Sequence, residues 1–147
     1  MSQVNKVIIP VDFTSTMDKV VDYATSIADQ LDAEIIFFHV INDFKGYDMM
    51  LVHPSFEPMK KDLFEASQKK MAVLVADHQD RKNKVSGEVV FGEAGDEIIN
   101  LAKKENADMI IIGTHGVKGF ERLLMGSTAE YVVKKAPCPI LTFNPFR

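Results

Sequence analysis

The residues with most chemical potential run Gly113-Thr114-His115-Gly116-Val117-Lys118-Gly119-Phe120-Glu121-Arg122-Leu123-Leu124-Met125-Gly126-Ser127-Thr128. The spacing is glycine, two residues, glycine, nine residues, glycine, then two adjacent hydroxyl residues. Glycines let successive backbone N–H groups close on an anion with no Cβ in the way. Ala129, Val132, Val133 and Ala136 then recur at i, i+3, i+4 and i+7, so Gly126, Ser127 and Thr128 fall at a helix N-terminus. Orphan N–H groups and the macrodipole attract phosphate there. Ser127 also suits a helix N-cap, and a cap can share its helix end with a phosphate. His115 can donate a ring N–H to an anion, and Lys118 and Arg122 bring positive charge into the loop. The pattern is not a Walker A loop, since no Gly-Lys pair precedes Ser or Thr, nor a Gly-x-Gly-x-x-Gly dinucleotide turn.

Other reactive side chains have plainer readings. Asp12 follows an apolar run, where it can cap a helix or accept local backbone hydrogen bonds. His39 lies within a strand and reads as a packed, hydrogen-bonded histidine rather than a base. His53 and His78 belong to no motif. Cys138 sits between Pro137 and Pro139 with no acid or base nearby in sequence, which argues against thiol chemistry. Met49, Met50 and Leu51 suit core or interface packing.

Alternating strands and helices position these residues. Lys6 to Asp12 and Glu34 to Ile41 are β-branched or aromatic runs, apolar on both faces, as in strands buried in a parallel sheet. Between them Met17, Val20, Val21, Ala24, Ile27, Ala28 and Leu31 keep helical spacing, with Thr14, Ser15 or Thr16 available as N-cap. A long helix is expected from Pro58 to about Arg81, with Pro58 in its first turn. The irregular residues 42–57 before it are longer than most connections in compact domains and suggest a lid or contact surface. Val85–Phe91, Met109–Ile112 and Ile140–Phe143 complete five strands, and helices at Gly95–Asn106 and from Ser127 complete four. Strict alternation implies right-handed crossovers and an α/β doubly wound fold with helices on both faces. Ligands in such sheets bind beyond the carboxyl ends of the strands, where strand order reverses.

Composition narrows the function. The 147 residues are 46% hydrophobic and 26% charged, with net charge −4. A chain of this size buries roughly 70% of its unfolded surface without staples or metal. Acidic balance and the lack of any long Lys/Arg run argue against nucleic acid. One cysteine allows neither an internal disulfide nor a zinc pair, and the apolar run after Lys6 is too short for a signal or membrane segment. A cytoplasmic protein of one domain, residues 1–147, with no membrane partner, is the expectation.

The spacing Gly113, Gly116, Gly126, Ser127, together with Val7-Ile8-Ile9-Pro10-Val11-Asp12, Ile112-Gly113-Thr114-His115-Gly116 and Ala136-Pro137-Cys138-Pro139-Ile140-Leu141, resembles the nucleotide-binding branch of the universal stress protein family along the whole chain. That branch carries the motif Gly-x2-Gly-x9-Gly-Ser/Thr. The resemblance implies a Rossmann-like five-stranded parallel sheet of the adenine nucleotide alpha hydrolase-like kind, ordered 3-2-1-4-5. It implies ATP, or AMP or ADP, across the switch point. Asp12 then approaches the ribose or adenine side, Val40 backbone frames the adenine, and Pro10, Val11 and Thr14 line the rim. Gly113, Gly116, Gly126, Ser127 and Thr128 cradle the phosphates, with His115 as a further contact and Mg²⁺ held through phosphate oxygens. A homodimer through Ile140, Leu141, Thr142 and Phe143 is also implied, and an apolar sheet edge there would otherwise invite association.

No motif places a catalytic residue to activate water on a γ-phosphate. The expected function is therefore an ATP-binding regulatory module of the stress response, with at most slow hydrolysis and a protein partner downstream. Two alternatives stand beside it. One is a dimeric adaptor with a vestigial cleft, against which the intact motif argues. The other is an ATP-pyrophosphatase or nucleotidyltransferase, whose His-x-Gly-His and Ser-Gly-Gly-x-Asp-Ser signatures are absent.

Overall fold

A computed structural model describes residues 3–43, 56–115 and 125–146. Its elements run β1 (Lys6–Pro10), α1 (Met17–Gln30), β2 (Glu34–Asn42), α2 (Phe56–Ala76), β3 (Val85–Gly92), α3 (Ala94–Lys104), β4 (Met109–Gly113), α4 (Ser127–Lys135) and β5 (Ile140–Phe143). All strand pairs are parallel, and the sheet order is β3-β2-β1-β4-β5, as the resemblance implies.

Successive side chains on a strand leave opposite faces, and here both faces are covered. Val7, Ile9, Ile35, Phe37 and Ile111 pack under Val21, Ala24 and Ala28 of α1 and Met71 and Leu74 of α2. Ile8, Ile36, Phe38, Ile110 and Ile112 pack under Ile98, Leu101 and Ala102 of α3 and Ala129 and Val132 of α4. Among the described residues no helix is long and apolar enough to cross a membrane.

The amino ends of the strands are pinned by charge. The Asp108 carboxylate accepts from the backbone N–H of Asn5 and Lys6 at 2.9 and 3.0 Å. The Lys6 ammonium sits 3.3 Å from both Glu34 and Glu105. The hydrogen bond to Glu105, foremost, holds the Lys6 pKa above its usual value.

Several boundaries differ from the sequence expectation: the long helix begins at Phe56 rather than Pro58, α3 runs Ala94–Lys104 rather than Gly95–Asn106, and β2, β3 and β4 each run one residue further. The first strand stops at Pro10 rather than Asp12. The long helix stops at Ala76 rather than near Arg81, because its end tightens: His78 N–H donates to Val75 and Gln79 N–H to Ala76, both three residues back. The His78 ring takes the Leu74 carbonyl at 2.8 Å, and Arg81 is drawn to Asp29 at 2.8 Å. Residues 44–55, most of the expected irregular stretch, lie outside the described residues.

Gly87 shows how closely α2 packs on β3. A Cβ there would stand 2.6 Å from Met71 Sδ and 2.8 Å from Val75 Cγ2. Gly87→Val is expected to destabilise the fold by roughly 1–3 kcal/mol through overpacking, read as a lower urea midpoint with an unchanged m-value.

Candidate functional site at the carboxyl ends of the strands

The order β2-β1-β4 makes β1 and β4 neighbours although they are far apart in sequence. The loops after them leave on opposite sides, so the crevice between them is the switch point. Its opening follows from one residue. Val11 N–H donates to the Phe38 carbonyl of β2 at 2.8 Å. Backbone groups alternate sides along a strand, so the Pro10 nitrogen faces β4. Proline has no N–H to give. Pairing between β1 and β4 runs only through Val7 and Ile8, whereas pairing with β2 continues to Pro10.

Beyond Pro10 the chain turns sharply. Asp12 Oδ1 accepts from the Thr14 N–H at 3.1 Å and from the Thr14 hydroxyl at 2.7 Å, which fixes the turn. The local reading of Asp12 is thus realised by its Oδ1 atom. Phe13 between them has φ +57°, a backbone region that bulky residues rarely occupy. Its ring packs against His39 at 4.8 Å between centroids, with Lys70 Nζ 5.9 Å from the ring centre. Thr16, in a helical conformation and without a side-chain cap bond, occupies the N-cap position of α1.

On β2, His39 is half-buried and its Nδ1 lies 2.7 Å from the Val11 carbonyl. A carbonyl only accepts, so Nδ1 carries the proton. The packed histidine read from the sequence is what the structure contains. The next residue, Val40, shares the strand side of Phe38, so its N–H and C=O face the β1 side at the level where β1 has ended.

After β4, Thr114 ties three elements together. Its N–H donates to the Phe143 carbonyl of β5 at 2.9 Å, and its carbonyl accepts the Gly126 N–H at 2.6 Å. The Thr114 hydroxyl meets His115 Nδ1 at 2.8 Å. His115 is buried, 8% exposed, with Phe146 against it edge-on. Gly126 is the N-cap of α4 and Ser127 its first helical residue, so the N-cap role expected of Ser127 belongs to Gly126. The cap residue, being glycine, supplies no side-chain hydrogen bond to the helix start. Thr128 follows in the first turn, half-buried, and Ser127 is exposed. Gly116, Lys118 and Arg122 lie outside the described residues.

The two described glycines of the motif are glycines for reasons of space. A Cβ on Gly113 would stand 2.9 Å from Val20 Cγ2 of α1. One on Gly126 would stand 3.0 Å from the Thr114 carbonyl oxygen. Gly126 has φ −60° and ψ 152°, open to any residue, so close approach and not backbone freedom selects it.

Several features here have no signal in the sequence. The left-handed Phe13, the imidazole on the Val11 carbonyl and the Phe146 ring on His115 are tertiary contacts. Cys138 remains apart from the site, and burial pushes its thiol pKa up, the opposite of an activated nucleophile. A groove of about 320 Å³ at the other end of the sheet is lined by Lys6, Glu34, Lys84 and Glu105 among others.

A doubly wound parallel sheet with a crevice at β1 and β4 defines the class. Residues 3–144 match the model of the universal stress protein family. The chain is 32% identical over 136 residues to the universal stress protein MJ0531 of Methanocaldococcus jannaschii, covering 92% of this chain and 79% of the relative. The solved structure of MJ0577, from the same organism, superposes with a TM-score of 0.85 at 28% identity over 97% of both chains. The universal stress protein of Archaeoglobus fulgidus in complex with dAMP superposes with a TM-score of 0.65 at 18% identity, over 96% of this chain and 98% of that one. The chain belongs to the universal stress protein family.

The contact between Gly113 and Val20 is testable by itself. Gly113→Ala is expected to cost about 1–3 kcal/mol by overpacking, and clearly less in a Val20→Ala background. A double-mutant cycle in urea measures the coupling.

Proposed function

We propose that this protein binds an adenine nucleotide, ATP in its working form, across the crevice between β1 and β4, and acts as a nucleotide-dependent regulatory module. The observation that carries this reading is the start of α4: an N-terminus whose cap residue is a glycine, tethered through the Gly126 N–H to the Thr114 carbonyl at the end of β4. The first-turn N–H groups and the helix dipole favour a phosphate group at that position. Gly113, Gly116, Gly126, Ser127 and Thr128 are the phosphate cradle in this reading, with His115 beside it.

The other half of the ligand fits the ends of β1 and β2. An adenine edge offers a ring nitrogen acceptor next to an amine donor, and the Val40 N–H and C=O are the complementary pair. Asp12 holds its turn through Oδ1, and Oδ2 is the acceptor for a ribose hydroxyl. Pro10, Val11 and Thr14 form the rim. The Archaeoglobus fulgidus relative was solved in complex with dAMP, so this architecture accommodates an adenine mononucleotide in one of its members. Among the described residues no group of three or more His, Cys, Asp or Glu could hold a metal ion. Mg²⁺ enters this reading through phosphate oxygens. Regulation, with hydrolysis slow at most, suits a site to which no motif brings a general base. A cytoplasmic stress-response role accompanies the family assignment.

A homodimer through β5 belongs to the same proposal. Ile110 N–H donates to Pro139 and Thr114 N–H to Phe143, so Leu141 and Phe143 face β4 while Ile140 and Thr142 turn their backbone outward. β5 is an edge of the sheet, and that outward row is what a second copy would pair with.

Denaturing the purified protein and identifying released nucleotide, then titrating the emptied protein calorimetrically with ATP and Mg²⁺, tests the reading. Bound adenine nucleotide or micromolar rebinding supports it, and the absence of both refutes it. Gly126→Val, by displacing the loop from Thr114, is expected to weaken ATP binding at least about tenfold, or 1.4 kcal/mol. Thr142→Pro removes an outward donor and no ladder bond to β4, so sedimentation is expected to show a monomer of unchanged fold.

A further inference from the structure

We infer that His39 is a positioning residue for the adenine end of the site: its imidazole occupies the Val11 carbonyl and so leaves the Val40 N–H for the ligand. This rests on the nucleotide reading above and goes beyond it. In a continued parallel ladder, the strand residue whose N–H reaches Phe38 would accept, at its own carbonyl, the N–H two residues further along β2. That residue is Val11 and that N–H is Val40's. Val11 makes the first bond, at 2.8 Å. Its carbonyl, however, meets the Nδ1–H of His39 at 2.7 Å. Were the carbonyl unmet, it would be a strong acceptor directly facing the Val40 N–H, and strand pairing would extend by one residue into the crevice.

The ring does a second thing. His39 stacks at a tilt against Phe13, centroids 4.8 Å apart, and Phe13 is the left-handed residue of the Asp12–Thr14 turn. One side chain thus fixes both the Val11 carbonyl, just past the end of β1, and the turn that carries Asp12. Its effect on a ligand runs through Val40 and Asp12.

The two nitrogens of the ring allow a test by mimicry. In asparagine the amide nitrogen is as many bonds from Cβ as Nδ1, and in glutamine as many as Nε2. His39→Asn can donate to the Val11 carbonyl, whereas His39→Gln places its donor one bond too far. Calorimetric titration with ATP and Mg²⁺ and thermal melting are compared for wild type and both variants. The Asn variant is expected to bind at least about fivefold more tightly than the Gln variant, because in the latter the freed Val11 carbonyl takes the Val40 N–H from the ligand. Melting temperatures of the two variants are expected to agree closely, so a change in general stability does not account for the difference. Equal ATP affinity of the Asn and Gln variants overturns the inference while the nucleotide reading stands. Failure of wild type to bind ATP overturns the nucleotide reading itself.

Discussion

Burial of β1 on both faces is the constraint from which the rest of the structure follows. Val7, Ile8 and Ile9 are successive residues with no exposed surface. Successive residues point to opposite faces, so neither face of this strand can be wet. Each such side chain contributes about 1.5–3 kcal/mol when taken out of water, which forces helices onto both sides of the sheet. Helices on both sides require crossovers, and right-handed crossovers bring every strand in with the same direction. All carboxyl ends therefore lie along one margin. The residues after β1, β2 and β4 converge there without any contact between them having to be specified in advance.

The same strand limits its own pairing. Pro10 withholds a donor from β4, and His39 takes the carbonyl that would carry pairing with β2 one residue further. β1 is thus released from both neighbours within two residues, at the margin where the loops gather. At the amino end the opposite holds: Asp108 and the Lys6 cluster tie β1 to its surroundings. A central strand held at one end and released at the other gives a crevice of fixed position in a rigid sheet.

The sequence made the repeating features legible and the pairwise ones not. Five strands and four helices could be read because burial repeats every two or every 3.6 residues, and Ser127 as the first residue of α4 followed from the hydrophobic run behind it. The strand order entered only through family resemblance, since nothing local tells β1 whether β4 is its neighbour. Helix ends were less legible. The helical pattern carries Pro58 to Arg81 past Ala76, and what stops it is the set of three-back bonds, the His78 ring on Leu74 and the pull of Asp29 on Arg81. The imidazole on Val11 joins residues 28 apart in sequence, and no periodicity encodes such a bond.

The glycine motif was legible as a pattern, while the reasons for its individual glycines were not. Anion binding alone would ask for glycine wherever backbone must approach a phosphate. Gly113 is required by Val20 and Gly126 by the Thr114 carbonyl, both protein contacts that exist with no ligand bound. These two grounds are not rivals. A Cβ on Gly126 would crowd the Thr114 carbonyl that accepts its N–H, and that bond fixes the start of α4 at the end of β4. Helix N-termini attract anions wherever they occur. What the glycine does here is set where that attraction is delivered, so packing of the empty protein and recognition of phosphate become one requirement on the same residue.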